Sequence, residues 1–234
     1  MTEAEWLATA KPESMLDALC DAPSERKLRL FAVACCRRIW PLLADDRSRR
    51  AVELTEAWAD DRRASCNLDQ ADLDPGYDDW LGEVDRVWRA AVEAEHAAAA
   101  GRYGGDHAAR AGAGAASSTA TPTLTVEDIQ AAARAASAGV VGNEDRESAA
   151  QAHLLRCIFG NPFRLVALDP SWLTSTAVAL AAGIYDDRAF DRLPILADAF
   201  QDAGCDNEDI LTHCRGPGPH VRGCWVVDLV LGKE

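Results

Sequence analysis

Between Ser24 and Leu43 the apolar residues return with the period of an α-helix, and this recurrence constrains the fold more than any other feature. With successive residues turned by about 100°, Leu28, Phe31, Ala32, Cys35, Ile39 and Leu42 share one face. Arg26, Lys27, Arg29, Arg37 and Arg38 fall mostly opposite. Ser24 is an N-cap residue type, and Pro41 ends or kinks the helix in its last turn. The period continues in a helix over Asp46–Asp60, with Val52, Thr55 and Ala59. A third helix, Asp78–Ala99, places Leu81, Val84, Trp88, Ala91, Val92 and Glu95 on a stripe.

The C-terminal half is punctuated by caps and breakers. Thr125 to Asp128 has the form of a capping box, with Asp in the place of Glu or Gln. Ala149–Phe159 reads as a helix stopped by Gly160-Asn161-Pro162. Asp169 and Pro170 are N-cap and first-turn residues for a helix to Tyr185. A helix over Asp191–Ala203 stops at Gly204, Asn207 caps a short one ending near Cys214, and Gly216-Pro217-Gly218-Pro219 forces an irregular turn. Val221–Leu231 is apolar on nearly every side and fits either a buried helix or a buried strand. The βαβ alternation of a parallel sheet is missing. The expected class is mainly α, a bundle of about seven to nine helices.

Residues 101–124 are rich in Gly, Ala, Ser and Thr, with little to bury, and read as a flexible insert. The expected organisation is a helical segment 1–100, a linker 101–124 and a helical segment 125–234, the two segments packing as one domain.

The net charge of −14 argues against general nucleic-acid binding. No apolar run is long enough for a bilayer, and the acidic start Met1-Thr2-Glu3-Ala4-Glu5 is unlike a signal peptide, so a cytoplasmic location with no membrane partner is expected. In that compartment the 8 cysteines are expected as reduced, mostly buried thiols.

The sharpest chemistry lies in the tail, where Cys205, His213, Cys214, His220 and Cys224 cluster. Cys205, Cys214, His220 and Cys224 form one Cys/His set of zinc-ligand type. His220 and Cys224 are four apart and would share a face of a helix. The paired Cys-x-x-Cys knuckle is absent, and small thiols also serve as core filler. Adjacent Cys35 and Cys36 point about 100° apart on a helix and make no ready redox pair. Arg26, Arg29, Arg37 and Arg38 form a candidate docking face for an acidic partner or a phosphate-bearing ligand, set against the plainer reading of a face paired with the fold's own acids. The acidic series from Asp186 to Asp209 lacks calcium-loop spacing and reads as helix surface. Walker A, GxGxxG, HExxH and GxSxG motifs are absent, so no catalytic residue is assigned and no cofactor is required.

Three stretches carry a resemblance: Arg26 to Trp40 (RKLRLFAVACCRRIW), Ile158 to Arg164 (IFGNPFR) with Leu168 to Leu173 (LDPSWL), and Ala189 to Asp198 with Gly223-Cys224-Trp225. Together they resemble a bacterial paralogue family of unknown function. The resemblance covers roughly residues 1–60 and 150–234. It implies a middle of variable length and supplies no activity.

The first functional expectation is a non-enzymatic helical module that binds protein partners. A small zinc-binding regulatory protein using the Cys/His tail is the alternative, and a hydrolase or transferase of unrecognised type is the third.

Overall fold

The structure, a computed structural model, describes residues 1–19, 24–61, 77–99, 107–120, 125–140 and 142–233. Cys20 and Cys66 lie outside them. The described residues form α-helices and no strand, the mainly α class that the periodicity predicts. In chain order the helices are α1 (Glu3–Ala8), α2 (Pro12–Ala18), α3 (Glu25–Arg38), α4 (Asp46–Trp58), α5 (Tyr77–Ala99), α6 (His107–Thr119), α7 (Val126–Gly139), α8 (Glu144–Phe159), α9 (Ser175–Asp187), α10 (Leu193–Asp202), α11 (Glu208–Arg215) and α12 (Trp225–Leu231). They outnumber the seven to nine expected because α1 and α2 are shorter than the roughly 11-residue window in which a helical period shows, and α6 is built of small residues that carry little of that period. None is long and apolar enough to cross a membrane.

The chain divides into two compact units. A central unit is Ala10–Gln151, and a terminal unit joins Met1–Thr9 to Ala152–Glu234. The boundary falls within α8. Composition reports local packing tendency only, so the return of the N-terminus to the C-terminal half leaves no mark on it.

In the central unit α3 packs against α4, α6 and α7 and is buried almost all round. Its Arg26 and Arg29 are buried as well, so the polar face expected there is covered. The helix ends at Arg38, and a 3-10 turn, Trp40–Leu42, carries Pro41. Ser24 makes no side-chain capping bond, whereas Thr125 and Asp128 make both bonds of the capping box.

The segment read as a flexible insert contains α6, with Ala115, Ala116 and Ala120 fully buried. Small residues give little hydrophobic signal, but they let helices approach closely. A Cβ on Gly112 would stand 2.9 Å from Leu42 O, and one on Gly139 would stand 3.1 Å from Leu42 Cδ1.

The terminal unit is built around Ile184, Leu196, Phe200, Ile210, Val226 and Val227. Asp169 caps a 3-10 turn, Pro170–Trp172, through Ser171 N at 2.8 Å. The helix expected to begin there begins at Ser175, because Thr174 is extended and its hydroxyl accepts from Ala177 N at 3.2 Å. Val221–Leu231 resolves into a turn followed by α12.

Candidate metal centre

Four side chains of the terminal unit bring one donor atom each to within 4.8 Å of one another: Cys157, His213, His220 and Cys224. Cys157 lies in the last part of α8, and His213 in the last turn of α11. Asn207 starts α11 by accepting from Ile210 N at 3.1 Å. Gly216-Pro217-Gly218-Pro219 then turns the chain back and delivers His220. Gly218 has φ +78°, and a Cβ there would stand 3.0 Å from His220 N, so glycine permits both the turn and the approach. Cys224 follows Gly223, at φ +90°, and occupies the N-cap position of α12.

His213 Nε2 lies 3.2 Å from Cys224 Sγ, and His220 Nδ1 lies 3.7 Å from Cys157 Sγ. A tetrahedral zinc ion with bonds of about 2.3 Å to sulfur and 2.0 Å to nitrogen spaces its ligands about 3.3–3.8 Å apart. His220 Nε2 faces Gly216 O at 3.3 Å. A proton on Nε2 donates there and leaves the lone pair on Nδ1, toward the cluster. A ligand histidine held through its second nitrogen by a carbonyl is the usual outer-shell arrangement. The His213 ring also packs against His220 at 4.8 Å and against Trp225 at 5.2 Å.

Burial opposes ionisation of Cys224, yet the Cys157 thiol and the two imidazoles hold it well below the usual thiol range. Cys157 is pushed up, first by its hydrogen bond to Cys224 and then by burial. His220 is desolvated but still raised, because it faces the Cys224 sulfur. The cluster therefore already favours one thiolate, and a divalent cation would replace the shared protons. Two thiolates and two neutral imidazoles form a neutral site with Zn²⁺, filled by protein donors, which is the composition of a structural zinc centre.

Of the four ligands expected from sequence, His220 and Cys224 are in this group and Cys205 and Cys214 are not. Cys205 and Cys214 lie in the apolar core of the unit, where burial raises both thiols. Cys214 follows Ile210 by four residues and shares its apolar face, whereas His213 is turned about 100° away toward the cluster. His220 and Cys224 meet through the glycine turns and not along a helix. Cys157 had no local signal, since it sits among Leu154, Leu155 and Ile158 in an ordinary amphipathic helix.

The arginines expected as a docking face are engaged within the central unit. Arg26 pairs with Asp60 at 2.9 Å, Arg29 with Glu25 at 2.5 Å, Arg37 with Glu56 at 2.6 Å and Arg38 with Glu147 at 2.8 Å. Arg37 also lies over the Trp40 ring. Cys35 and Cys36 are fully buried, and burial pushes Cys36 up to about 11.

The chain matches no family model, no curated protein and no solved structure.

Proposed function

We propose that the terminal unit holds one zinc ion through Cys157, His213, His220 and Cys224, and that the ion has a structural role in a non-enzymatic helical module. The convergence of these four donors carries the reading. They come from α8, α11, the turn after α11 and the start of α12, so one ion would tie together segments that meet late in the chain. Binding energy at such a site is folding energy. Metal analysis of untagged protein tests the proposal. About one zinc per chain, with the terminal unit losing thermal stability on chelation, is expected. Less than about a tenth of an equivalent, with unchanged melting, would remove it.

A protein partner is a second reading, favoured by the turn after α8. Phe163 and Leu165 are exposed there, Leu165 to 98%. Exposed apolar groups gathered on one segment are a mark of docking surfaces. Leu165→Asp should leave folding unchanged and lower association in sedimentation and pull-down experiments. Equal behaviour of variant and parent would count against this reading.

A further inference from the structure

We infer that metal occupancy governs the docking of α1, so that Met1–Thr9 is a metal-dependent clasp of the terminal unit; this rests on the zinc reading above. Helix α1 has six residues. A helix so short does not persist in water by itself. Its order depends on what receives it.

The receiving residues are Arg156, Gly160, Asn161 and Arg164. Trp6 is fully buried and its Nε1–H donates to Gly160 O at 3.0 Å. The Arg156 guanidinium donates to Trp6 O at 2.7 Å and to Thr9 O at 2.5 Å, so it closes the C-terminal end of α1, where helix carbonyls lack partners. Asn161 Nδ2 donates to Glu3 at 2.7 Å, and Arg164 pairs with the same carboxylate at 2.9 Å.

This seat is continuous with the metal ligands on both sides. Arg156 is the chain neighbour of Cys157, and Gly160 lies one turn further. Gly160 has φ +65°, and a Cβ there would stand 3.2 Å from Trp225 Cγ. Trp225 is in turn the chain neighbour of Cys224 and packs on the His213 ring. An ion held by Cys157 and Cys224 therefore fixes the end of α8, which carries the seat of Trp6, against the start of α12. Coupling of this kind needs an element with two states, and docked or released α1 is that element.

Hydrogen exchange on the full chain tests the clasp. The Trp6 and Thr9 amides bond to Thr2 O and Glu5 O, and the core amides of α10 serve as the internal reference. Chelation should speed exchange at Trp6 and Thr9 at least about tenfold while α10 keeps its protection, and added zinc should restore it. Linkage is reciprocal, so Arg156→Ala should weaken zinc binding about fivefold or more. Glu3→Gln, which alters only the part-exposed contacts to Asn161 and Arg164, should weaken it in the same direction. Stoichiometric zinc with unchanged exchange at Trp6 and Thr9 would overturn the clasp and leave the zinc reading intact. So would loss of protection throughout the terminal unit at once, because the ion would then be a requirement of the whole fold. Failure to bind zinc would end both.

Discussion

Arg38 embraces the Glu147 carboxylate, with Nε 2.8 Å from one oxygen and the second guanidinium nitrogen 2.9 Å from the other. Glu147 is 5% exposed and also accepts from Gln151 Nε2. Removing the arginine would leave a buried carboxylate without its cation. Arg38→Ala should therefore destabilise the central unit by about 3 kcal/mol. Arg89→Ala, which breaks the exposed pair with Asp85, should cost less than about 0.5 kcal/mol. Urea denaturation of the two variants checks the contrast, and equal costs would show that Arg38 acts as a surface charge.

Gly112 and Gly82 give opposite expectations for the same substitution. At Gly112 a Cβ would press on the Leu42 backbone at 2.9 Å, and at Gly82 it would meet nothing within 4 Å. Alanine improves helix propensity at both. Gly112→Ala should destabilise by about 1–3 kcal/mol because the backbone cannot yield cheaply. Gly82→Ala should stabilise by about 0.5–1 kcal/mol. If Gly112→Ala stabilises, α6 does not pack as described.

The buried thiol of Cys36 makes the central unit sensitive to alkali. Its ordinary value is 9.0, and burial moves it to about 11 against a smaller opposing effect from Thr119. Below 9 the folded and unfolded chains both hold the proton, and the contribution is complete. Between 9 and 11 the unfolded chain releases a proton that the folded chain keeps, so stability falls as pH rises, by about 3 kcal/mol in all. Unfolding curves from pH 8 to 11 should show this slope, and Cys36→Ala should reduce it, with the buried Cys35, also pushed up by burial, supplying the remainder. An unchanged slope would mean that another group is responsible.

The cysteines of the terminal unit separate into two pairs. Cys157→Ser and Cys224→Ser should each reduce bound zinc severalfold. Cys205→Ala and Cys214→Ala should keep about one equivalent while losing about 1–2 kcal/mol from the core. Metal analysis and melting of the four variants check this. Loss of zinc in the second pair would restore the ligand set read from sequence.

Long helices with an apolar stripe were legible in the sequence, because α3, α4 and α5 each run for three turns or more. So were the caps at Thr125 and Asn207, whose hydrogen bonds are local. The burial of α6 was not, since Ala and Gly carry almost no hydrophobic signal and its packing depends on how closely Leu42 approaches Gly112. Two members of the candidate metal group, His220 and Cys224, are also in the set read from the sequence. Cys157 is not, because only the tertiary fold brings α8 to the tail. His213 and Cys214 are both ligand types in the sequence, and facing separates them: Cys214 follows Ile210 into the core.

X-ray absorption at the zinc edge, on the untagged full chain, tests the central claim most directly. The account predicts about one zinc per chain with two sulfur neighbours near 2.3 Å and two nitrogen neighbours near 2.0 Å. Three or more sulfur neighbours, an oxygen-dominated shell, or no bound zinc would contradict it.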